Sequence, residues 1–131
     1  MNILGSVLSG RGSDIDKTSA SVVTKSIPYR HVRQFGVQQV LLIDPVNRNI
    51  EDLKILGEQI KESAKDYSIA MVQVYDNLEA ANLLGTDFPD SKMPFYKEHW
   101  IGTYTKNNSS KTNRWRIYLP DAEGGPLDIT Y

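Results

Sequence analysis

Val40-Leu41-Leu42-Ile43 stops at Asp44-Pro45, and Ile69-Ala70-Met71-Val72-Gln73-Val74-Tyr75 stops at Asp76-Asn77. Runs this apolar on both faces belong to central strands that other elements cover. The segment between them, Ile50 to about Asp66, has helical spacing. Leu53, Leu56, Ile60, Ala64 and Tyr67 recur every three or four residues and form one apolar stripe, which Ile55 widens. Asn49 stands where an N-cap belongs, and Glu51 and Asp52 favour the positive end of the helix dipole. Gly57 lies near the stripe, either for close approach to a sheet or as a tolerated surface glycine. Strand, long helix, strand is a right-handed crossover between parallel neighbours.

Working outward, Tyr29–Phe35 alternates after Pro28, and Gly36 bends the chain into Val37–Ile43, as a hairpin or as one long bent strand. Beyond Tyr75, Asp76 is placed as an N-cap for a two-turn helix over about 77–84, with Gly85 just past its end. Thr86–Pro94 reads as a loop, because it holds Pro89, Asp90 and Pro94. Tyr96–Leu119 reads as a β-hairpin closed by the polar loop Lys106–Asn113. Leu127–Tyr131 offers a last edge strand. The fold class is therefore α+β: a two-layer sandwich with a mixed sheet of about four to six strands, one main helix (about 50–66) and one short helix (about 77–84). Residues 1–27, with Gly5, Gly10, Gly12 and six serines, read as a flexible arm, and 28–131 as one domain.

Two stretches carry a resemblance. Asp76-Asn77-Leu78-Glu79-Ala80-Ala81 and Ile101-Gly102-Thr103-Tyr104-Thr105-Lys106-Asn107 resemble small uncharacterised bacterial α+β domains with a strand–helix–strand–short helix–hairpin order. The likeness spans about residues 29–119. It implies the fold and brings no catalytic residue with it.

Composition narrows the chemistry. The chain has 131 residues, 40% apolar and 24% charged, an ordinary globular balance. It has no cysteine, which excludes disulfides, thiolate metal sites and cysteine nucleophiles. No apolar run approaches the roughly 18 residues of a bilayer span. With no spanning segment and no signal pattern at the start, the cytoplasm is the expected compartment. Glycine-rich phosphate loops, G-x-S-x-G and HExxH are missing, so no cofactor and no metal is expected.

His31 and His99 are the two histidines, and each serves a hydrolase or transferase only if folding brings a carboxylate to it. Charge is uneven. Residues 44–91 hold four basic and ten acidic groups, whereas 92–120 hold six basic and one acidic. The basic block coincides with the hairpin, where Trp100, Tyr104, Lys106, Lys111, Arg114, Arg116 and Tyr118 mix cations with aromatic rings. Alternation groups Trp100, Gly102 and Tyr104 with Arg114, Arg116 and Tyr118, and sends Ile101, Trp115 and Ile117 to the core. Such a face suits a protein partner or self-association. The alternatives are an anionic ligand or nucleic acid held by Lys106, Lys111, Arg114 and Arg116, or a soluble hairpin whose charges only prevent edge pairing. The expectation is a non-catalytic binding module.

Overall fold

The computed structural model describes residues 25–119 and 125–131. Six strands form one mixed sheet whose spatial order follows the chain: β1 (Arg30–Phe35), β2 (Gln38–Leu42), β3 (Ile69–Tyr75), β4 (Trp100–Asn107), β5 (Thr112–Ile117) and β6 (Leu127–Thr130). Only β2 and β3 pair in parallel, and every other pair is antiparallel. The parallel pair is joined by α1 (Ile50–Ser63), as the two apolar runs require. The first strands make a hairpin, not one bent strand, and Gly36 turns it at φ +61°, a conformation open to glycine at little cost.

The helix α1 starts as its sequence dictates. Asn49 Oδ1 accepts the backbone N–H of Asp52 at 2.9 Å. Asp52 in turn is buried and accepts from Lys25 Nζ (2.7 Å), Asn47 Nδ2 (3.0 Å) and Asn49 Nδ2 (3.0 Å). The Lys25 ammonium first, and the two amides after it, hold its carboxyl down at about 2. Because that lies below the ordinary aspartate value of 3.8, its stabilising contribution is complete above that value and is lost as pH falls towards 2. Acid unfolding followed by circular dichroism should therefore show a stability loss between about pH 4 and 2 that Asp52→Asn lessens.

Leu53, Leu56 and Ile60 of α1 pack on Leu41, Val72, Val74, Ile101, Tyr104, Trp115 and Ile117 of the sheet. Gly57 marks the closest approach. A Cβ there would stand 2.4 Å from Trp115 Cδ1, so the glycine makes room for the indole. The indole Nε1 donates to the Leu53 carbonyl at 2.8 Å. The helix ends at Ser63, three residues short of its expected end, and Tyr67 leaves the stripe to stand exposed. Ile27 is 1% exposed in this core, and its backbone exchanges two hydrogen bonds with the Gln59 amide (2.7 and 3.0 Å). Ile27 thus packs with the sheet and α1, Lys25 and Ser26 are also described, and residues 1–24 of the expected arm lie outside the described residues.

The reverse face of the sheet carries a second, smaller core of Val40, Tyr75, Ala80, Ala81 and Tyr96. Two short helices cover it, α2 (Leu78–Leu83) and α3 (Met93–Glu98). Tyr75 and Tyr96 join hydroxyls there at 2.6 Å. Gly85 follows α2 at φ +80°, as expected of a residue just past a helix end. Two local readings change. Asn77, not Asp76, caps α2, accepting from Ala80 N–H at 3.1 Å. And Pro94 does not close a loop: it sits in the first turn of α3, where its missing N–H costs nothing. Hence Tyr96 is helical, and the hairpin strand begins at Trp100.

Candidate functional site

The faces of the β4–β5 hairpin are fixed by register. Tyr104 lies opposite Trp115 and Gly102 opposite Ile117, while Thr103 faces Arg116 and Thr105 faces Arg114. Residues directly opposite share a face. Arg114 and Arg116 thus stand on the reverse face, and Trp115 points into the α1 core, as alternation predicts.

Trp100 joins the two arginines on that face for a reason that alternation misses. The β3–β4 register shifts between Val74 and Tyr75, which are partnered by Gly102 and Trp100 and leave Ile101 as an extra residue. One extra residue flips the side-chain parity. Trp100 therefore lies with Tyr75 and Tyr118, not with Gly102 and Tyr104. Its ring packs on Tyr118 with centroids 4.6 Å apart, and its Nε1 donates to Gln73 Oε1 at 3.0 Å. The same oxygen accepts from Thr103 Oγ1 at 2.7 Å, and Gln73 Nε2 donates to Gln38 Oε1 at 2.8 Å. A polar ladder thus crosses β2, β3 and β4.

Tyr104 and Lys106, grouped with this face in the sequence reading, are buried on the opposite one. The Tyr104 hydroxyl donates to Asn113 Oδ1 at 2.6 Å, and burial raises its pKa. Lys106 Nζ donates to the carbonyls of Ala64 (2.8 Å) and Lys65 (3.2 Å). It is a cap on the carbonyl end of α1, where a cation is favoured. Lys111 stands at the far hairpin turn, exposed, with φ +59°. The structure thus brings together Trp100, Arg114, Arg116 and Tyr118, and leaves Tyr104, Lys106 and Lys111 elsewhere.

Arg116 is already engaged. Its Nε and a terminal nitrogen donate to the two carboxylate oxygens of Asp128 at 2.7 and 2.9 Å, a fork that ties β6 to β5. The pairing raises the guanidinium pKa and lowers that of the carboxylate.

The histidines part company. His31 is exposed on the edge strand β1, bonded to Gln39. His99 Nδ1 lies 2.7 Å from Asp76 Oδ1. The Asp76 side chain is 5% exposed, and its other oxygen accepts from Arg48 at 3.2 Å. A second Arg48 nitrogen reaches the Tyr118 carbonyl at 3.4 Å. Freed from capping α2, Asp76 orients an imidazole at the end of the parallel strand β3. Among the described residues nothing is hydrogen-bonded to His99 Nε2, and no group of three or more metal-ligating side chains gathers. A carboxylate-oriented imidazole has the geometry of a general base. The same contacts also clamp the ends of β3 and β4, since Asp76 N–H donates to the His99 carbonyl at 3.1 Å.

No helix described is long and apolar enough to cross a membrane. Comparison of the chain with protein-family models, with curated proteins and with solved structures finds no match.

Proposed function

We propose that this chain is a non-catalytic binding module that engages a protein surface, including that of a second copy of itself, through the reverse face of β4–β6. One observation carries the reading. Among the described residues, α2 and α3 pack over β2 and β3 and reach Trp100 at the start of β4, whereas Arg114, Arg116 and Tyr118 lie further along that face, Tyr118 against the Trp100 ring. Trp, Tyr and Arg are the residues that most often anchor protein contacts. The charge split gives such a face a complement on the same molecule, the acidic stretch 44–91, which suits head-to-tail association. An anionic ligand is less well served, because Lys106 is buried and Asp128 already occupies Arg116.

Sedimentation of the wild type and of the Arg114→Ala, Arg116→Ala double variant across salt concentrations tests the self-association form. The wild type should associate at low salt, and the association should weaken as screening rises. The double variant should stay monomeric and folded, its thermal midpoint lowered only by the loss of the part-exposed Arg116–Asp128 pair. A wild type that is monomeric at every salt removes self-association; a double variant that associates equally well removes this face.

A second reading, a small hydrolase or transferase, is favoured by the 2.7 Å approach of His99 to the buried Asp76. Here His99 would draw the proton from a water or hydroxyl nucleophile. Turnover of an activated ester that His99→Gln abolishes, with the melting curve kept, would support it; equal turnover by both forms would end it.

A further inference from the structure

The α1 face of the sheet is only partly roofed. Strands lie about 4.8 Å apart and a helix is about 10 Å across, so one helix covers two or three strands. Helix α1 lies over β3, β4 and β5, with Leu53 bonded to Trp115 and Ala64 to Lys106. Ile27 covers one end of β2 beside Leu41 and Ile43. The rest of β1–β2 on this face is a groove of about 540 Å³ between α1 and the Gly36 turn.

Three features of the groove point one way. Its floor is apolar and buried, with Leu41, Ile60 and Val72 each under 10% exposed. Its rim holds Val37 and Tyr67, each more than half exposed, so large apolar side chains collect where the helix stops short. And among the described residues no Asp, Glu, Lys or Arg lines it, although about a quarter of the chain is charged. Its polar side chains include His31, Gln34, Gln39 and Ser63. With His31 Nε2–H donating to Gln39 Oε1, the other ring nitrogen is an acceptor and the Gln39 amide a donor.

We propose that this groove is a binding site for an uncharged, largely apolar small molecule carrying a hydroxyl or carbonyl that His31 and Gln39 orient. The volume falls within the roughly 300–1,000 Å³ typical of small-molecule sites. An ionised ligand would lose its hydration there and find no counter-charge, whereas a neutral one loses little and gains the apolar floor. The site lies on the opposite sheet face from Arg114 and Arg116, so it stands or falls separately from the contact surface proposed above.

The test is a titration of the full chain with Nile red, an uncharged dye that brightens in apolar sites, beside the anionic dye anilinonaphthalene sulfonate. Two variants at exposed groove positions keep the fold in reach. Ser63→Trp fills the groove, and Val37→Glu places a charge at its rim. The wild type should bind Nile red saturably and more tightly than the anionic dye. Each variant should weaken Nile red by about tenfold or more, with melting curves unchanged. The proposal is overturned if the folded wild type shows no saturable binding, if it prefers the anion, or if both folded variants bind as it does. Dye uptake only on dilution to a smaller species in sedimentation also overturns it, since the groove is then an interface between copies.

Discussion

Trp115→Ala is expected to cost roughly 3–5 kcal/mol of folding free energy, the range for a large aromatic removed from a core. The indole is 0% exposed, is packed among α1 and β4 side chains, and donates its N–H to the Leu53 carbonyl. The residues around it cannot simply close the gap, because the mould is partly backbone: Gly57 meets the ring from the helix and Gly102 from the neighbouring strand. Urea unfolding, with its slope unchanged, is the measurement. A loss below about 1 kcal/mol would mean that the ring is not the centre of the core.

Gly102→Ala is expected to destabilise the protein by roughly 1–3 kcal/mol or more through overpacking, although alanine loses less backbone entropy on folding than glycine. The added Cβ would stand 2.6 Å from the Arg116 carbonyl oxygen and 2.7 Å from Trp115 Cη2. The first is backbone of the adjacent strand and the second is the far edge of a buried ring, so neither can swing aside. The same unfolding measurement decides it. A neutral or stabilised variant would place the Trp115 ring away from β4.

These two positions also show where sequence reading reaches and where it stops. The crossover, the Asn49 cap and the inward turn of Trp115 were legible, because each rests on a local period or a local hydrogen bond. The close approach at Gly57 was one of two open readings until the ring opposite it was known. The short helix α3 was hidden by Pro94, since the residue that ends helices also begins them, and only the packing of Tyr96 against Tyr75 selects the second role.

The candidate face was half legible. Arg114 and Arg116 followed from alternation within one strand. Trp100 was grouped with them on a regular β4 that would have brought Tyr104 too; the extra residue at Ile101 keeps the first and sends the second to the core. No composition signal marks that irregularity. Lys106 read as a surface cation because its partners, two carbonyls about forty residues away, carry no side-chain signature. The His99–Asp76 contact joins residues 23 apart, and the groove beside α1 arises where the helix ends three residues early. Both are tertiary facts.

The order of the strands has a consequence for how the chain assembles. Five neighbouring pairs make up the sheet; long segments separate β2 from β3 (Leu42 to Ile69) and β3 from β4 (Tyr75 to Trp100), and shorter connections join the rest. The β1–β2 and β4–β5 hairpins close through tight turns, so they can form on a microsecond scale without waiting for the rest. The parallel β2–β3 joint is different. It must bring Leu42 beside Tyr75 across the whole of α1, and loop entropy opposes it until the helix stripe finds the sheet. Strand β3 is therefore placed by two long-range joints, and the rate-limiting event of folding should be the docking of α1 that closes the parallel one.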